Sequence, residues 1–220
     1  MKSLFLTALC ALLALTSASA QTREIYTNPK FSTLAQSHKT LAVLPFVVTL
    51  ELRPNEVAKR GGAEGVAKLE QREGLDVQNA LQSYFLKRKE EKDMTIDVQD
   101  LSRTNALLAQ NGVTAANMAT FTPEQLAKFL GVDAVITGTF SSTQPMSGGA
   151  AIAMTLLIGA SGPTNTGKLM ININDGATGE LLWKYDKSLS RGLGSDTNTI
   201  VTTIMRKASR QFPYSKEYKG

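Results

Sequence analysis

Gly162-Pro-Thr-Asn-Thr-Gly167-Lys168 has the G-x-x-x-x-G-K spacing of a loop that cradles phosphate. A working loop of that kind also needs Ser or Thr after the lysine, a strand before it and a helix after it. Here Leu169 follows, and the next residues read as a strand. The segment therefore reads as a turn, and neither nucleotide nor cofactor is expected. His38 is the one histidine, so it could act only as a lone base. No G-x-S-x-G, H-E-x-x-H or S-x-x-K pattern accompanies it. Asp97, Asp100, Asp133 and Asp175 fall at or near predicted strand ends. Two carboxylates roughly 5 to 9 Å apart can cleave a glycosidic bond. The sequence places no two of them at such a distance. Cys10 is the one cysteine, which excludes a disulfide framework and any multi-cysteine metal site. No catalytic, cofactor or metal residue is assigned, and the chain is read as a non-enzyme.

The start of the chain explains where such a protein works. Met1–Ala20 reads as a secretory signal peptide, with Lys2 before an apolar run from Leu4 to Leu15 and Ala18-Ser19-Ala20 as the cleavage site. No later segment approaches the roughly 20 apolar residues of a spanning helix. The expectation is an exported protein, periplasmic or associated with the outer membrane. Thr7 and Leu9 before Cys10 do not suit lipidation. The formal charge of the whole chain is +5. Residues 21–205 carry 18 charges of each sign, so apart from Lys2 in the leader the excess lies in Arg206, Lys207, Arg210, Lys216 and Lys219 against Glu217, a tail of +4. A cationic helix end explains such a tail; contact with an acidic polymer or lipid headgroups is the other reading. Nucleic acid is not expected.

The remaining residues predict the elements that must carry any site. Gln21–Lys39 reads as a polar arm, the simplest home for His38. Thr40–Leu50 is apolar and β-branched and predicts a buried strand, near an edge or bent at Pro45. Glu51–Gly65 reads as a loop. Val66, Leu69, Val77, Leu81, Tyr84 and Phe85 recur at helical spacing and predict a helix over 64–91, with Gly74 as its weak point. Met94–Asp100 reads as a strand and Arg103–Gln110 as a short helix. Thr122-Pro-Glu-Gln125 is a capping box before a helix that ends at Gly131. Strands follow at 133–140, 168–175 and 180–190, the last two as a hairpin, with Trp183 in the core. A final helix from Asp196 or Thr197 presents Ile200, Val201, Ile204, Met205, Ala208 and Phe212. The order predicts one α/β domain over 40–220, three layers thick, with a mixed sheet of about five strands flanked by helices.

Gln144–Gly167 interrupts this pattern. It is almost uncharged, glycine-rich and continuously apolar from Ala150 to Ile158. It suits a short buried helix or an exposed apolar patch for a protein partner or membrane. Met146, Ile152, Met154, Leu156, Leu157 and Ile158 are the candidate contact residues of the second reading, with the basic tail as a secondary contact.

Four segments in serial order carry a resemblance. They are Leu41-Ala-Val-Leu-Pro-Phe46, Gly131-Val-Asp-Ala-Val-Ile-Thr-Gly138, the insert with Ser147-Gly148-Gly149, and Asp175-Gly-Ala-Thr-Gly-Glu-Leu-Leu-Trp183. From about residue 40 to 212 the chain resembles the bacterial envelope group of the curli channel CsgG, the activator LpoB and the amino-terminal domain of TolB. The resemblance implies the anticodon-binding-like fold of CsgG and TolB. It also implies a domain without catalytic residues that docks on other envelope proteins, including copies of itself, with a peripheral outer-membrane contact. In CsgG the segment corresponding to 144–167 forms a membrane hairpin, and a second hairpin follows later. Here Ser188–Asp196 leads straight into the final helix, and the lipid-anchoring cysteine is missing. Both departures favour a soluble scaffold or activator over a secretion-channel subunit. An envelope hydrolase is the remaining alternative.

Overall fold

Burial along Leu41–Leu44 sets the architecture. Leu41 and Val43 enter one apolar cluster while Ala42 and Leu44 enter another, so the strand is buried on both faces. The computed structural model describes residues 23–143, 166–189, 212–216 and 218. Among them one mixed sheet runs in the order β1 (Arg23–Thr27), β7 (Leu181–Leu189), β6 (Thr166–Asp175), β5 (Ala134–Thr143), β2 (Thr40–Val43) and β4 (Asp97–Val98). A further strand, β3 (Val47–Glu51), pairs with β5 beyond the end of β2. Strands β2, β3, β4 and β5 run parallel, and β5, β6, β7 and β1 alternate in direction. The short helices are α1 (Phe31–Leu34) and α2 (Pro54–Lys59). The long α3 (Gly62–Glu90) covers one face, and α4 (Leu101–Gln110) and α5 (Pro123–Leu130) cover the other. This is the expected three-layer α/β arrangement, with seven strands rather than about five.

The differences have local causes. Residues 21–39 are not simply a polar arm: Arg23–Thr27 pairs with β7, and Phe31 is buried against Tyr214 with ring centroids 5.2 Å apart. The strand expected over 40–50 is split, because Pro45 cannot donate to a ladder. Both halves pair with β5, so the strand bends at Pro45, and among the described residues β3 has no strand on its other side. The loop expected over 51–65 contains α2, which Pro54 opens. Only Asp97 and Val98 of the segment 94–100 form a strand, while Met94 bridges to Ser215.

Gly74 is a contact, not a weakness. A Cβ there would lie 2.1 Å from the Phe46 carbonyl oxygen, and the Phe46 N–H donates to the Gly74 carbonyl at 3.2 Å. The same face of α3 continues this stitching every fourth residue. Glu70 accepts from the Leu50 N–H at 2.7 Å, Gln78 donates to the Val43 carbonyl at 2.8 Å, and Gln82 donates to the Gln99 carbonyl at 3.1 Å. Backbone groups freed by the bend thus find partners on the helix. The helix over Pro123–Leu130 has its expected capping box and a left-handed Gly131. No helix among the described residues is long and apolar enough to cross a membrane.

Candidate functional site

The two ends of the sheet differ in chemistry. At one end stand the first residues of β2 and the turn joining β6 to β7. His38, expected in a solvated arm, is buried here with its side chain 4% exposed. Its Nε2 lies 2.8 Å from Asp175 Oδ1 and its Nδ1 lies 2.7 Å from the Tyr214 hydroxyl. The other oxygen of Asp175 accepts from the Ala177 N–H, the Thr178 N–H and the Thr178 hydroxyl at 3.1, 2.7 and 2.7 Å. Asp133 Oδ2 accepts from the Lys39 and Thr40 N–H groups at 2.8 and 2.9 Å.

Electrostatics assigns the protons in this chain. Burial pushes the Tyr214 phenol far above its usual range, and the negative charges of Asp175 and Asp133 add to that. Tyr214 therefore keeps its proton, and its hydroxyl and the Asp175 carboxylate occupy the two ring nitrogens of His38. Burial also pushes the Asp175 carboxyl up, but hydrogen bonds from Thr178 and His38 outweigh it and hold the group below its ordinary value. An Asp–His–hydroxyl chain is the arrangement that activates a nucleophile. Here the hydroxyl is a buried phenol, and the remaining lone pairs of Asp175 hold the turn. The arrangement ties the start of β2, the β6–β7 turn and Tyr214 together.

The other carboxylates are similarly occupied. Asp100 caps α4 through the Ser102 and Arg103 N–H groups, and Asp97 pairs with Lys89. The described residues contain no cluster of three or more metal-ligating side chains. Lys168 lies within β6, where a phosphate loop would instead lead into a helix, and pairs with Asp186 at 3.1 Å; residues 162–165 of its motif lie outside the described residues. Trp183 is fully buried in the core, as expected.

The opposite end holds the roots of the insert. Thr143 pairs with Thr166, so β5 and β6 deliver both ends of the segment 144–165 to one place. Glu51 pairs with Thr143 and Leu189 pairs with Gly167, which brings the ends of β3 and β7 there too. Met146, Ile152, Met154, Leu156, Leu157 and Ile158 lie outside the described residues. So do Met1–Ala20, the predicted final helix up to residue 211, and Arg206, Lys207, Arg210 and Lys219. Lys216 is exposed, and its N–H donates to the Asp93 carbonyl at 2.9 Å. Phe212 is buried and stacks on Phe85 at 5.1 Å.

No pattern in the sequence could have paired His38 with Asp175 and Tyr214, which lie 137 and 176 positions away. The glutamine spacing on α3 was visible, but apolar periodicity alone does not use it.

No protein-family model matches the chain, and no curated protein matches it. Similar solved structures exist. The lipoprotein GNA1162 from Neisseria meningitidis is 18% identical and covers 79% of this chain and 98% of its own, with a TM-score of 0.39. The LpoB C-terminal domain from Salmonella enterica is 12% identical and covers 74% of this chain and 94% of its own, with a TM-score of 0.33. The PelC dodecamer from Paraburkholderia phytofirmans is 11% identical and covers 88% of this chain and 96% of its own, with a TM-score of 0.35.

Proposed function

We propose that the chain is a non-catalytic interaction or assembly protein of the bacterial envelope. It is exported by its leader and docks on other envelope proteins through the insert 144–167, with the basic tail as a secondary contact. The observation that carries this reading is the sealed His38–Asp175–Tyr214 chain. The groups best suited to chemistry are bonded to one another and to backbone, out of reach of a substrate. The sequence feature that stands apart is the uncharged insert, whose flanking strands meet at the far end of the sheet. The resemblance to the CsgG, LpoB and TolB group supports the same assignment.

Deleting residues 148–160 from the full chain tests it. The shortened protein keeps its melting transition and no longer co-purifies with envelope proteins. A shortened protein that fails to fold would instead make the insert a core element. Conductance across liposomes would mark a secretion-channel subunit. Hydrolysis of an envelope polymer that disappears in Asp175→Asn would mark an enzyme.

A further inference from the structure

A second feature sits at the elbow between α2 and α3, independent of the insert. Lys59, Arg60, Lys68 and Arg72 surround an open cavity of about 320 Å³, with Gly65 and Leu69 completing its lining. Four cations and no anion line this space, although the body of the chain is balanced in charge. The backbone is built to bring them together. Gly61 and Gly62 both take left-handed conformations, with φ of 85° and 78°, which fold α2 back onto α3. A Cβ at Gly65 would lie 1.6 Å from the Arg60 carbonyl oxygen, so only glycine lets Arg60 settle against the helix.

The cations have little to neutralise them. Lys59 reaches Glu56 at 3.1 Å and Lys68 reaches Glu64 at 2.6 Å, but both lysines are mostly exposed. Such pairs are weak and exchange readily. Arg60 Nε is buried without a hydrogen-bond partner among the described residues. Arg60 and Arg72 act electrostatically on Glu73, whose oxygens are buried and also unpartnered among the described residues. Burial first, and then the neighbouring Asp76, push the Glu73 carboxyl up to about 7. At neutral pH it is therefore only partly ionised and a poor counter-ion.

We propose that this elbow is a binding site for a single phosphate-bearing group, held by the Arg60 and Arg72 forks with Lys59 and Lys68 at the rim. A guanidinium presents parallel donors that match two phosphate oxygens, and the lysines add point charges. The phosphate belongs either to a soluble ion or to a lipid headgroup.

Titration of the mature chain with inorganic phosphate, and sedimentation with phosphatidylglycerol and phosphatidylcholine vesicles, distinguish the two sources. Binding to inorganic phosphate marks a soluble-ion site. Binding to phosphatidylglycerol vesicles alone marks a headgroup site. In either arm, Arg60→Gln with Arg72→Gln weakens binding at least tenfold, and Lys216→Gln in the basic tail leaves it within twofold. If the arginine variant does not fold, Lys59→Gln with Lys68→Gln, both at exposed positions, weakens binding at least threefold. No binding in either arm, or binding that folded variants of both kinds leave unchanged, overturns the proposal.

Discussion

Two regions of the molecule, the His38 end of the sheet and the helix α3 with its elbow, use polar residues in opposite ways. At the His38 end, both ring nitrogens and both Asp175 oxygens have partners, and these bonds join segments far apart in sequence. Along α3, by contrast, the oxygens of Glu73 and the Nε of the adjoining Arg60 are buried without hydrogen-bond partners among the described residues. A buried polar group without a partner destabilises a fold, and one with a full set of partners specifies it. The contrast teaches that the reactive-looking residues hold the fold, while unmet polar groups gather on α3 and its elbow.

The largest expected effect breaks the first end. Asp175→Ala leaves the buried His38 N–H and the β6–β7 turn without an acceptor, and destabilises the protein by about 4 kcal/mol. Chemical denaturation measures this. Because the folded Asp175 carboxyl titrates below its ordinary value, its stabilisation is full above about pH 4 and lost as pH falls further. The difference between wild type and Asp175→Asn therefore narrows in acid.

Next in size is Gly74→Ala, where α3 passes from one end to the other. The added methyl meets the Phe46 backbone, and the loss is about 2 kcal/mol by the same measurement. One residue earlier on α3 the sign reverses. Glu73→Gln stabilises the protein by about 1 kcal/mol above pH 7. The folded carboxyl titrates near 7, so burial costs nothing while the group is protonated below its ordinary range, and the cost of ionising it grows as pH rises and is full above about 7. Melting curves at pH 4 and pH 8 show the gain only at pH 8. The smallest effect is that of deleting residues 148–160, which changes stability by less than about 1 kcal/mol, since shortening a connection alters closure entropy only slightly.

Much of the framework was legible because its signals are local. Thr122 and Gln125 lie three residues apart and form the capping box that their spacing implies. Asp175–Trp183 forms the hairpin end, and the unbroken apolar run Leu41–Leu44 marks a strand buried on both faces. The misread parts depend on distant partners. Arg23–Thr27 looks polar and solvated, yet becomes a strand because the edge of β7 is available to pair with it. Gly74 looks like a helix flaw until Phe46 arrives against it. His38 looks idle in sequence because its two partners come from the other end of the chain. The cationic elbow was hidden for another reason: balanced totals over residues 21–205 conceal a local concentration of one sign.

Site-specific photo-crosslinking in intact cells tests the division between the two ends most directly. A photoreactive residue replaces Ile152 in the insert in one variant and the exposed Ala177 in the β6–β7 turn in another. Adducts to other envelope proteins from position 152, with none from position 177, are the expected result. Adducts from 177 with none from 152 would contradict the account.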